Sequence, residues 1–206
     1  MEERVISLQK GREISLEKGI KSLKVSVTWD ENRRKNNLNE DFDVDLIILE
    51  LDENGRCLSP DHLVFYGSFE LTEDGKFTDP ERAVIHSGDD RDGSGEGEEC
   101  IVNFSKVNRQ ATKLLFLINI NEAVKRGQKF DMIKNTEVKA YVDGKETPKL
   151  VYRLDESYGD YTSIIFCSVD REGANNWRFS ALGDGSKGTL FSLLHGYGLR
   201  FKESDI

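Results

Sequence analysis

Short apolar or alternating runs recur along this chain, and Gly, Asp or Asn cuts off nearly every one. Runs of this length are strands more readily than helices, because a helix needs a longer amphipathic period to bury one face. The pattern predicts strands at 13–16, 23–29, 42–51, 62–66, 83–86, 100–104, 113–120, 137–142, 149–154, 163–169 and 177–182. Asp52-Glu53-Asn54-Gly55 and Val142-Asp143-Gly144-Lys145 carry turn chemistry, since Asn, Asp and Gly accept a positive φ at low cost. Helix is scarce. A turn or two is expected at 105–111, capped by Ser105, and a short helix at 188–195 with Leu190, Leu193 and Leu194 on one face. So many strands without alternating helices predict an all-β fold, a two-sheet β-sandwich with a few short helices. No Pro-, Gly- or Ser-rich linker divides the chain, so residues 1–206 are expected to form a single domain.

The longest apolar stretch, Leu114-Leu115-Phe116-Leu117-Ile118, is strand-sized and far short of the ~20 residues of a membrane helix. The start, Met1-Glu2-Glu3-Arg4, lacks the basic-then-apolar order of a signal peptide, so a cytoplasmic location with no membrane span is expected. Cys57, Cys100 and Cys167 are odd in number and form no zinc spacing, and are expected to be reduced thiols. The formal net charge of -9 disfavours phosphate backbones and anionic lipid as partners, so no nucleic-acid role is expected. The basic triplet Arg33-Arg34-Lys35, in the segment 31–39, reads as a solvated loop.

That charge is concentrated. One knot is Glu40-Asp41-Phe42-Asp43-Val44-Asp45, and the other runs from His86 through Gly88, Asp89, Asp90, Asp92, Gly93, Ser94, Gly95, Glu96 and Gly97 to Glu98 and Glu99. Without the ten acids and one Arg of these knots, the chain carries 28 charges of each sign. Two like charges about 4 Å apart repel by roughly 4 kcal/mol at an effective dielectric near 20, so such a concentration needs open solvent or a cation. On a strand, Asp41, Asp43 and Asp45 share one face while Phe42, Val44 and Leu46 share the other. Asp90-Arg91-Asp92-Gly93-Ser94-Gly95 matches the first half of a calcium loop, with oxygen ligands on alternate residues. Ile101 stands where an EF-hand has its closing Glu, so the loop shares only the local device. All-oxygen ligands suit calcium, less well magnesium, and not zinc or copper. A solvated acidic loop is the alternative. A phosphate cradle is disfavoured, because the glycine-rich loop has six carboxylates and no Lys.

Taken in order, these segments resemble the TerD family of tellurium-resistance and stress-response domains. The resemblance is carried by Leu8, Lys10, Gly11, Ile14 and Leu16, by Trp29-Asp30, by Asp41-Phe42-Asp43-Val44-Asp45, and by Phe65-Tyr66. It continues through the His86–Glu99 loop, Ile120, Ala123, Arg126, Gln128 and Phe130, and finally Trp177, Phe179, Ala181 and Gly183. The resemblance implies a cytoplasmic, non-enzymatic protein of a stress-response system, with protein partners, that binds calcium at two adjacent sites. Carried onto this chain, the implied ligands are Asp43, Asp45, Asp89, Asp90, Asp92 and Glu98, followed by Asp41, Ser94, Glu96 and Glu99. Gly67 stands where the family usually has Asn. The competing function is a metal-dependent hydrolase or phosphoryl-transfer enzyme using the same carboxylates. His62, His86 and His195 form no recognisable triad motif. Direct capture of a tellurium oxyanion is opposed by the acidic charge and the separated thiols.

Overall fold

The structure, a computed structural model, describes residues 6–7, 11, 13–16, 19–30, 41–68, 70–93, 96–154, 158–173 and 176–201. The basic triplet at 33–35 and the candidate ligand Ser94 lie outside these residues.

The first strands are β1 (Ile6–Ser7), β2 (Glu13–Ser15), β3 (Ser22–Thr28), β4 (Val44–Leu51) and β5 (Leu63–Val64). The middle of the chain forms β6 (Glu70–Leu71), β7 (Phe77–Thr78), β8 (Val84–His86), β9 (Glu98–Asn103) and β10 (Lys113–Ile120). The last strands are β11 (Glu137–Val142), β12 (Leu150–Arg153), β13 (Ser163–Arg171) and β14 (Trp177–Ser186). Among the described residues two α-helices are present, α1 (Ala123–Arg126) and α2 (Leu190–Gly196). Hydrogen bonding arranges the strands as an eight-stranded sheet, β1-β12-β11-β3-β9-β8-β7-β6, and a six-stranded sheet, β2-β14-β13-β10-β4-β5. Pairing is antiparallel throughout except between β1 and β12. The expected two-sheet, all-β architecture is therefore what forms.

The sheets bury one core between them, containing Val25, Val44, Leu46, Val102, Phe116 and Phe166. A second cluster lies on the outer face of the six-stranded sheet. There Ile47, Leu49, Leu115, Leu117 and Ile165 pack with Leu194 of α2 and with Leu199 beyond it. This third layer explains the uninterrupted apolar runs of β4, β10 and β13, whose side chains are buried on both faces. It also sets the chemistry of β4. Asp43, Asp45, Ile47, Leu49 and Leu51 follow one another on the outer face, so the acids lie at the end of a stripe that is otherwise apolar.

The expected helix at 105–111 is absent, and the segment is a series of turns. Asn103 Oδ1 accepts from both the N–H (3.1 Å) and the hydroxyl (2.7 Å) of Ser105, and Asn108 Oδ1 accepts from the Gln110 N–H at 2.9 Å. Local side-chain acceptors have taken donors that a helix would need. The helix expected at 188–195 forms as α2, with Thr189 as its cap. The acid-bearing strand starts at Val44 rather than residue 42, which leaves Asp41 and Asp43 in the segment before it.

Candidate metal centre

Where β5 stops, the edge of β4 still presents the N–H and carbonyl of Leu46. Two side chains from the other sheet take them. The Leu46 N–H donates to Glu98 Oε2 at 2.6 Å, and the Leu46 carbonyl oxygen lies 2.9 Å from His86 Nε2. The Gly88 N–H donates to His86 Nδ1 at 3.1 Å, so the ring hydrogen sits on Nε2 and points at the Leu46 carbonyl. Glu98 is fully buried, and its second oxygen accepts from the Asp90 N–H at 3.3 Å. One carboxylate thereby ties the glycine-rich loop to the acid-bearing strand, and the two acidic knots meet.

The loop is wound by Asp90. Its Oδ1 accepts from the Gly93 N–H at 3.1 Å and the Asp92 N–H at 3.5 Å, and its Oδ2 accepts from the Gly97 N–H at 3.0 Å. Gly97, at φ 77°, has no room for a side chain, because a Cβ would overlap the Val27 carbonyl oxygen of β3. Gly93 lies against the Trp29 ring in the same way, and the Trp29 ring N–H donates to the Phe42 carbonyl at 3.0 Å. Trp29 is thus wedged between the loop and the start of the acid-bearing strand.

This arrangement brings Asp43, Asp45 and Asp89 together. One carboxylate oxygen from each lies within 4.8 Å of the other two, close enough to share a metal ion. Asp45 is 2% exposed and Asp43 is 8% exposed. Each is held by one amide: Asn121 Nδ2 donates to Asp43 Oδ2 at 2.9 Å, and Asn119 Nδ2 donates to Asp45 Oδ2 at 3.4 Å. Ser163 in turn donates to Asn119 Oδ1 at 2.8 Å and fixes that amide. Oδ1 of Asp43 and Oδ1 of Asp45 are buried with no hydrogen-bond partner. Buried carboxylate oxygens left this way are costly unless a cation or proton takes them. Burial pushes the Asp45 carboxyl well above its ordinary range, and the neighbouring Glu98 and Asp43 push it further. Burial raises Asp43 too, partly offset by its Asn121 bond. Glu98 is raised by burial against the opposing pull of His86. The donor set, the orphaned oxygens and the mutual repulsion all fit a hard cation.

The remaining sequence-predicted ligands are placed differently. Asp90 and Glu98 spend their oxygens on backbone N–H groups, as described. Glu99 faces the opposite side of β9 and pairs with Lys24 Nζ at 3.2 Å. Asp92 and Asp41 are half-buried, and Glu96 is exposed. Asp89 also pairs with Arg91 at 2.7 Å. Sequence reasoning missed Asn119 and Asn121. Their signal was available: two amides at the end of an otherwise apolar run, with Asn119 directly opposite Asp45 in the β4–β10 register.

Fold and site together define a β-sandwich with a carboxylate centre assembled from two distant acidic segments. Residues 5–197 match the TerD domain family, and the chain belongs to that family. It is 34% identical over 200 residues to general stress protein 16U of Bacillus subtilis, covering 95% of this chain and 98% of that protein. It is 29% identical over 199 residues to tellurium resistance protein TerD of Serratia marcescens, covering 94% and 97% respectively. A crystal structure of a homologue of telluride resistance protein (TerD) from Streptomyces coelicolor shares the fold, with a TM-score of 0.64 at 18% identity over 85% of this chain and 96% of that one.

Proposed function

We propose that this protein is a calcium-binding, non-enzymatic module of a cytoplasmic stress-response system, acting through protein partners. The observation that carries the reading is the convergence of Asp43, Asp45 and Asp89, with buried unpartnered oxygens on two of them. These three are the primary ligands. Glu98 and Asp90 build the frame that holds them, and the second, adjacent ion that the family resemblance implies would draw on the acidic segments that carry Asp41, Asp92, Ser94 and Glu96. Calcium would supply the charge that lets loop and strand stay together, which turns ion binding into order at one end of the sandwich. A non-enzymatic role is supported by the one imidazole at the site. His86 is fully buried with both ring nitrogens hydrogen-bonded, and so is committed to the frame rather than to proton transfer. The names of the relatives support resistance and stress as the setting. The metal-free centre repels oxyanions and the three separated cysteines offer no chelating thiol pair, so any tellurite resistance would be indirect.

Calorimetric titration with calcium and magnesium tests this. Saturable binding that favours calcium is expected, and the double variant Asp45→Asn, Asp89→Asn should abolish it. An unchanged isotherm in that variant removes the assignment.

A further inference from the structure

The acidic centre is not closed off. A cleft of about 470 Å³ opens beside it, between α1 and the start of α2, and Asp45 forms part of its wall. That volume falls within the usual range for small-molecule sites, roughly 300–1,000 Å³. The rest of the wall is mixed. Asn121 and the ion pair Glu122–Lys125 contribute polar groups, while Val124, Leu190 and Phe191 contribute apolar surface. Val124 is 56% exposed, unusually open for a β-branched residue next to a buried polar centre. Asp45 Oδ1, buried and without a partner, belongs to a residue shared by the acidic trio and the cleft.

Calcium takes about six to eight oxygens, and three carboxylates supply about three to six. The balance must come from water or from a ligand reaching the ion. Charge narrows the ligand. Asp43, Asp45, Asp89 and Glu98 carry four negative charges when ionised. A dication offsets two, Arg91 pairs with Asp89, and Arg126 is shared between Asp43 and Glu122 of the cleft wall, which Lys125 also holds. The loaded centre then keeps only part of its negative charge, so a dianion is opposed more strongly than a monoanion.

We propose that this cleft binds a small organic monocarboxylate, whose carboxylate completes the coordination of the ion at Asp43, Asp45 and Asp89 and whose apolar body lies against Val124, Leu190 and Phe191. This rests on the calcium reading above. The protein is then a calcium-dependent receptor for a small acid, with the ion as part of the binding surface. Asn121 links the two halves of the site, since it holds Asp43 with its amide and also lines the cleft.

The test is amide chemical-shift mapping of the full chain, with and without calcium, using 3-phenylpropionate as probe. Its neutral amide and phenyl phosphate are the controls. With calcium, the acid should shift the Asn121, Val124 and Phe191 amides saturably, at least about tenfold more tightly than in EDTA and than either control. Val124→Gln, which adds no charge, should weaken the acid about tenfold while leaving the calcium isotherm unchanged. If calcium binds but the acid moves no cleft amide, or binds equally well in EDTA, the cleft proposal fails and the metal reading stands. If phenyl phosphate binds more tightly than the acid, the ligand class is wrong. If calcium does not bind at all, both readings fall.

Discussion

Asp45 is expensive to ionise where it stands. Burial and the nearby Glu98 and Asp43 raise its pKa, so the folded protein without metal holds this proton to higher pH than the unfolded chain does. Between the unfolded value of 3.8 and the raised folded value, the unfolded state binds fewer protons, and stability falls as pH rises. Replacing the acid by its amide removes that cost. Asp45→Asn should therefore stabilise the metal-free protein at neutral pH by about 1–2 kcal/mol and erase the calcium-induced rise in melting temperature. Thermal melts with calcium and with EDTA read both effects. Glu50, on the inner edge of the same strand, offers a control away from the centre. It is fully buried, both its carboxylate oxygens lack partners, and burial, with Asp79 and Glu81 nearby, pushes its pKa up to about 9. Its contribution has the same sign, so stability is lost progressively from the unfolded value of 4.5 up to about 9. Glu50→Gln should flatten denaturant stability across that window without altering calcium binding. A slope unchanged from wild type would refute the assignment. Glu50 escaped sequence reading because it sits within Ile47-Ile48-Leu49-Glu50-Leu51, where one acid looks like the solvent-facing member of an alternating strand. It is buried because β4 is covered on both faces.

Among the elements, the long strands were legible and the punctuation was less so. β10 and β11 match the runs read from sequence to the residue, because apolar length and turn chemistry agree at both ends. β14 runs on to Ser186, past the expected end at residue 182, since Gly183-Asp184-Gly185 reads as a turn. Gly185 is instead the place where the Tyr161 ring packs on the strand, and a Cβ there would meet that ring. The two-residue strands β1, β6 and β7 leave no pattern to read. Helix α1 has only four residues between two left-handed positions, Glu122 at φ 50° and Gly127 at φ 65°. Arg126, the last residue of α1, pairs with Glu122 at 3.3 Å, Gly127 makes the turn and Phe130 enters the core. The meeting of loop and strand depends on β3 as much as on the acids. Gly97→Ala should push the loop off the Val27 carbonyl, costing about 2 kcal/mol and weakening calcium binding although no ligand is changed. Urea denaturation and calorimetry on one sample would show whether the two losses come together.

For the whole molecule, two sheets and their β character followed from run length, but the third layer did not. A short apolar helix near the end of the chain gives no sign of where it docks, and only α2 seated over Ile47 and Leu117 explains why β4 is apolar on both faces. The convergence of the acidic knots was legible as chemistry before it was legible as geometry. Alternation and glycine spacing marked the two acidic segments, and the β4–β10 and β3–β9 registers decided which carboxylates meet. The start of the chain shows a further economy. β1 lies at the margin of the eight-stranded sheet against β12, and β2 lies at the margin of the six-stranded sheet against β14. A single stretch of fewer than about twenty residues thus acts as a selvedge, hemming two fabrics along one side. Clipping residues 1–16 would bare the rows of N–H and C=O on β12 and β14 together, and such rows seek another chain. Sedimentation of the clipped protein should show self-association at concentrations where the intact chain sediments as a smaller species, so trimming this border would convert a self-contained sandwich into a template for its own kind.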